Sequence, residues 1–147
     1  MRWHALSAGE WLKAVGVGIA VSVLTAVIMM IALRTGASPL PKPLGLAFAE
    51  TLLARPLPVP VGALFHTVWT TAFSVLYIAL FREALTFMRA FWLAFALWVL
   101  VLLVFFPIVG WGFFGLGIGP QLIVAAAAPH LLFALFVWGL SRWAFRN

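Results

Sequence analysis

The chain has 147 residues, 66% of them hydrophobic and only 8% charged, against about 45–50% apolar and roughly 25% charged in soluble domains, so lipid must solvate most of its surface. Its net charge of +6 comes from nine Lys and Arg side chains set singly at the ends of apolar runs, a pattern of membrane flanks that excludes a nucleic-acid groove. Cysteine and aspartate are absent, which removes disulfides, thiolate metal sites, Cys nucleophiles and aspartate-based phosphoryl transfer, and the three glutamates, Glu10, Glu50 and Glu83, lie too far apart in sequence to suggest a carboxylate dyad.

A helix needs about 20 residues to cross a hydrocarbon core of roughly 30 Å. Four stretches qualify, at 12–33, 61–81, 90–109 and 120–140. They leave no room for a soluble domain, so residues 1–147 read as a single membrane domain. Span 1 contains an unbroken apolar run over 14–33. Secretory h-regions run only about 7–15 residues, so this reads as a retained first span of the signal-anchor kind. Within it Gly18, Ser22 and Ala26 recur every four residues. Such small-residue stripes let helices approach closely, either inside the bundle, the favoured reading, or against another subunit.

Residues 34–60 form the longest connection. Prolines at 39, 41, 43, 56, 58 and 60 bracket a helix-capable stretch, Leu44–Ala54. Proline tolerates helix starts and blocks interiors, so one short helix is expected between extended arms. Leu46, Phe48, Leu52 and Leu53 are expected to dip into the membrane interface. Glu50 is the only acid in this segment. It reads either as a surface carboxylate, solvated or paired with Arg55, or as one folded over the mouth of the bundle toward His66.

Counting Lys and Arg sets the expected orientation. Arg2, Lys13, Arg82, Arg89, Arg142 and Arg146 share one side, and Arg34, Lys42 and Arg55 the other. The excess favours both termini in the cytoplasm. Trp3, Trp11, Trp92 and Trp143 fall near that inner interface and Trp111 near the outer one, whereas Trp69 and Trp98 fall deeper and are expected to pack between helices.

Span 2 carries His66, Thr70, Ser74 and Tyr77 at spacings of four, four and three, which puts all four on one helix face. A polar stripe in a lipid-embedded helix should point inward. The ordinary role for Thr70 and Ser74 is a hydrogen bond back to the carbonyl four residues earlier. Span 3 offers the shorter small-residue pair Ala90 and Ala94. Residues 110–115, GWGFFG, match the letters of a dinucleotide-binding loop. They lack the preceding strand and the downstream acid that the chemistry needs. A tight turn is expected instead, buried against the bundle, with Phe113, Phe114, Leu116 and Ile118 dipping back into lipid or onto the bundle.

Span 4 places Pro129 after four alanines and just before His130. The proline removes the hydrogen bond to residue 125, so a kink is expected. Counting from the nearer helix start, His66 lies roughly 7 Å and His130 about 15 Å deep. Ionisable side chains at such depth are functional candidates, although a neutral histidine bonded to a helix carbonyl or hydroxyl is the commoner case. Any metal or haem would have to use His66 and His130, which is a poor zinc set because zinc takes three or four protein ligands.

Three stretches carry a resemblance: FHTVWTTAFSVLY in span 2, LVFFPIVGWGFFGLGIGP from span 3 into the turn, and PHLLFALFVWG in span 4. In these the chain resembles uncharacterised bacterial four-span membrane proteins grouped as a domain of unknown function. The likeness covers roughly the last 85 residues, and the N-terminal third matches in outline. The resemblance implies motif histidines at His66 and His130, with Thr70 and Ala134 standing where that family usually has glycine. It also implies a bacterial inner-membrane location and brings no activity.

The fold expected is an all-α integral membrane protein, a four-helix bundle with both termini inside and a short interfacial helix in the first loop. The function expected first is a non-catalytic accessory or assembly subunit of a larger respiratory or photosynthetic membrane complex. Its partners are the lipid bilayer and other membrane subunits or a second copy, with no nucleic acid. One alternative is a redox carrier with a b-type haem held by His66 and His130. The other is a small permease or proton-handling protein with a path through Glu50, His66 and His130.

Overall fold

The computed structural model describes residues 6–146, so Arg2 and Trp3 of the expected inner flank lie outside the described residues. The chain is helical, with no strand among the described residues. Four helices are long and apolar enough to cross a membrane, α1 (Ala8–Arg34), α3 (Val59–Phe81), α4 (Phe87–Ile108) and α5 (Gln121–Ala144). The short α2 (Leu44–Leu53) lies between α1 and α3. This is a multi-pass membrane protein.

Local chemistry explains several boundaries. Ser7 Oγ accepts from the Glu10 backbone N–H, and the Glu10 carboxylate accepts from the Ser7 N–H, a capping box that starts α1. Pro43 precedes α2, and Ala54 closes it in the left-handed conformation. Pro58 and Pro60 sit at the start of α3, where missing N–H groups cost nothing. Thr86 caps α4.

The spans pack around a ring in the order α3, α1, α5, α4, while α3 and α4 scarcely touch. The stripe on α1 faces α3. A Cβ on Gly18 would lie 2.7 Å from Thr71 Cα, so only glycine permits this approach. One turn further along, Ser22 Oγ donates to Thr67 Oγ1 at 3.0 Å. Ala90 and Ala94 are buried in the same apolar cluster as Phe133, Ala134 and Val137 of α5.

Polar side chains close the end of the bundle where α1 begins and α5 finishes. Glu10 is clamped by Arg82 at the end of α3, Nε lying 2.7 Å away. Arg82 also lies over the Phe145 ring, 5.0 Å from its centroid. Tyr77 Oη donates to the Thr86 carbonyl at 3.0 Å, tying the end of α3 to the start of α4.

The other end departs from expectation in three places. First, α4 is not a uniform α-helix: residues Val101–Phe105 form a π turn, with the Phe106 N–H reaching back to the Val101 carbonyl. Pro107 is the cause at hand, because it lacks an N–H and its ring crowds the carbonyl of Leu103. Second, the 110–119 turn satisfies its own backbone, with Trp111 N–H donating to Phe106 O at 2.8 Å and Gly117 N–H to Trp111 O at 2.9 Å. Trp111 is buried against Phe106, and Phe113, Phe114, Leu116 and Ile118 all face outward. Third, α2 is a lid. Leu46 is buried on α3, where a Cβ on Gly62 would come within 2.6 Å of it. Phe48 meets the Phe65 and Phe105 rings, and only Leu52 and Leu53 of the four expected interfacial side chains point away.

Candidate functional site

Beneath α2 the four spans line a partly open cavity of about 260 Å³. Both intramembrane histidines line it, His66 from α3 and His130 from α5, together with Thr25 of α1 and Thr70 of α3. The remaining wall is apolar and aromatic. Its rings include Phe48 of α2, Trp69 and Phe73 of α3, Phe105 of the π turn and Phe133 of α5. Two ring pairs close over the gap that α3 and α4 leave: the centroids of Trp69 on α3 and Phe105 are 4.9 Å apart, as are those of Phe48 on α2 and Phe105. Such contacts have the tilted and edge-on geometry that aromatic pairs prefer.

Pro129 has no N–H to give to the Ala125 carbonyl. One residue on, His130 Nδ1 lies 2.6 Å from the Ala126 carbonyl. A carbonyl can only accept, so Nδ1 carries a proton, and in the neutral imidazole that leaves Nε2 with the lone pair. His66 is held differently. The Ser22 main chain lies beside its ring, and its Nε2 is buried with no hydrogen-bond partner, an arrangement that is costly unless something pairs with it. Thr25 Oγ1 donates to the Val21 carbonyl at 2.8 Å.

The polar stripe of α3 divides in two. His66 and Thr70 reach the cavity. Ser74 lies deeper and donates to the Thr70 carbonyl at 2.8 Å, and Tyr77 belongs to the cross-link at the other end. Glu50 is not among the cavity-lining residues. It accepts from Lys42 Nζ at 2.7 Å and from the Leu57 N–H at 3.2 Å, so its partner is Lys42 rather than Arg55. The Lys42 hydrogen bond, and then that of Leu57, holds the Glu50 carboxyl below the ordinary carboxylate range. Of the α1 stripe, Ala26 lines the cavity, while Gly18 and Ser22 serve the α1–α3 contact. Trp98, expected between helices, donates from Nε1 to the Ile123 carbonyl at 3.1 Å. Trp69, expected there too, packs edge-on against Phe105 across the gap between α3 and α4.

Among the described residues no three His, Cys, Asp or Glu side chains converge as a metal site. A haem could draw on two imidazoles here. The cavity, however, is below the roughly 300–1,000 Å³ of pockets that bury drug-sized ligands, and a porphyrin is larger than most of those. It does exceed the ~150 Å³ that holds benzene in an engineered apolar cavity. One substituted ring is therefore the size that fits.

Sequence reasoning missed Thr25, Phe105 and the lid contact of α2. Pro107 inside an apolar run was the available sign of the π turn. Gly45 and Gly62 were the sign of the lid, since a Cβ on Gly45 would meet the Gly62 carbonyl at 2.7 Å. No protein-family model, no curated protein and no solved structure matches the chain.

Proposed function

We propose that this protein binds one small, largely apolar molecule in the cavity under α2, taking it from the bilayer through the gap between α3 and α4. The observation that carries this reading is the convergence of His66, His130, Thr25 and Thr70, from three separate spans, on one cavity otherwise walled by apolar and aromatic side chains. Ligand sites are of this kind, mostly apolar with a few polar groups that fix orientation. We place both termini in the cytoplasm on the excess of Lys and Arg at that end. The lid then lies at the outer interface, which the outward Leu52 and Leu53 support. Assignment to a bacterial inner membrane rests on the family resemblance in spans 2 to 4.

In lipid nanodiscs, tetramethylbenzene should raise the unfolding midpoint saturably, since a ligand of the folded state stabilises it by mass action. Met29 lines the cavity and is partly exposed, so Met29→Trp should fill the space and abolish the shift. A wild-type midpoint that ignores the compound would overturn the reading.

A second reading, an accessory subunit of a larger membrane complex, draws on Gly16 of α1 and Gly139 of α5. Both face outward, and a Cβ on either would have no neighbour within 4 Å. Small outward residues suit close approach by another helix. A monodisperse monomer in mild detergent, with no partner chain, would count against it.

A further inference from the structure

The polar atoms of the cavity narrow the class of ligand, given the binding role proposed above. His130 has committed its Nδ1 proton to Ala126, and Thr25 its hydroxyl proton to Val21. Toward a ligand, His130 Nε2 and Thr25 Oγ1 therefore offer lone pairs rather than protons. A donor on the occupant would pair with these lone pairs, which an acceptor-only molecule could not do. No Asp, Glu, Lys or Arg lines the cavity. An ionic donor such as an ammonium group would sit in an apolar site without a counter-charge, which strongly disfavours it. What remains is a neutral donor, and the aromatic walls and the volume both suit a single substituted ring.

We propose that the cavity takes a neutral ring bearing a hydroxyl, a substituted phenol or the ring of a hydroquinone, whose O–H donates to His130 Nε2. The Trp69–Phe105 pair stands across the entry route, so the ring reaches His130 by displacing or sliding past an aromatic contact rather than through an aqueous channel. No proton or electron transfer is part of this proposal.

The test compares tetramethylphenol with its methyl ether, which has the same ring and no donor, on the wild-type protein in nanodiscs at equal concentrations in the lipid. The phenol should bind about tenfold more tightly, the scale of one net neutral hydrogen bond. In His130→Phe the two compounds should bind alike. If that variant fails to fold, the wild-type pair decides alone. Equal binding of phenol and ether to the wild type overturns the donor assignment and leaves the cavity reading standing. Binding of neither overturns both. A hydroquinone with a single isoprene tail separates the sources: tighter binding than its tailless counterpart, with the phenol preference kept, assigns the ligand to the bilayer quinols. Equal binding, with that preference kept, assigns it to tailless phenols.

Discussion

At the end where α1 begins and α5 finishes, Glu10, Arg82, Tyr77 and Thr86 join three spans through side-chain hydrogen bonds. At the opposite end the spans lean on rings and small residues: Phe48, Trp69 and Phe105 across one gap, Gly45 and Gly62 under the lid. The contrast explains why the cavity sits where it does. Directional contacts draw helix ends together and fix their register. Aromatic contacts tolerate sliding and leave space between bulky neighbours, and here that space holds the two imidazoles. Segments with less packing and fewer polar ties are also the ones that open most readily.

Glycine substitutions should divide the two ends most sharply. Gly18→Leu drives a side chain into the Thr71 backbone and should cost about 1–3 kcal/mol, as overpacked cores do, read as a lower unfolding midpoint. Gly62→Leu pushes only the lid away. It should leave the global midpoint close to wild type, while amides of 44–57 exchange faster and tetramethylbenzene no longer binds. The reverse pattern, with global loss from Gly62→Leu, would break the comparison.

A smaller effect is expected from Glu10→Gln, which weakens the clamp on Arg82 while keeping a hydrogen-bonding side chain. The midpoint should drop by less than in Gly18→Leu, and ring binding should not change. A loss of binding would mean that the clamped end and the cavity are coupled.

Smallest is the pH response of the lid. Glu50 has its carboxyl held below the ordinary value by Lys42 and Leu57. Stabilisation from a lowered carboxyl is present above the unfolded-state value and fades as pH falls through the folded one. Protection of the Leu57 amide against hydrogen exchange, corrected for intrinsic rate, should therefore hold at neutral and mildly acid pH and decline only in stronger acid. Lys42→Met should move that decline to higher pH. Protection independent of pH would detach Glu50 from the lid.

The four spans were legible because a lipid solvent leaves long apolar runs in which each polar residue stands out. His66 and Thr70 were placed on one face by spacing alone, and the structure puts both on the cavity. That His130 shares it was not legible, since periodicity within one helix says nothing about the rotation of another. Trp69 and Trp98 were both expected between helices, and each does reach a neighbouring span, Trp69 through the Phe105 ring and Trp98 through the Ile123 carbonyl. Glu50 offered two cationic neighbours, Lys42 and Arg55, and the fold of the Pro-rich arm, not sequence distance, chose between them.

The π turn at Val101–Phe105 has a consequence for chain length. It is the local geometry produced when one residue is inserted into an α-helix. Because the wide turn absorbs that residue, the helix keeps its phase on both sides of it, so Phe106 stays buried with Trp111 and Phe105 spans the gap. A residue added to or removed from the regular turns of α4 has no such outlet and would rotate everything beyond by about 100°. The π turn is thus a stretch where a change in residue number is taken up locally, while elsewhere along α4 the same change would swing the wall of the cavity.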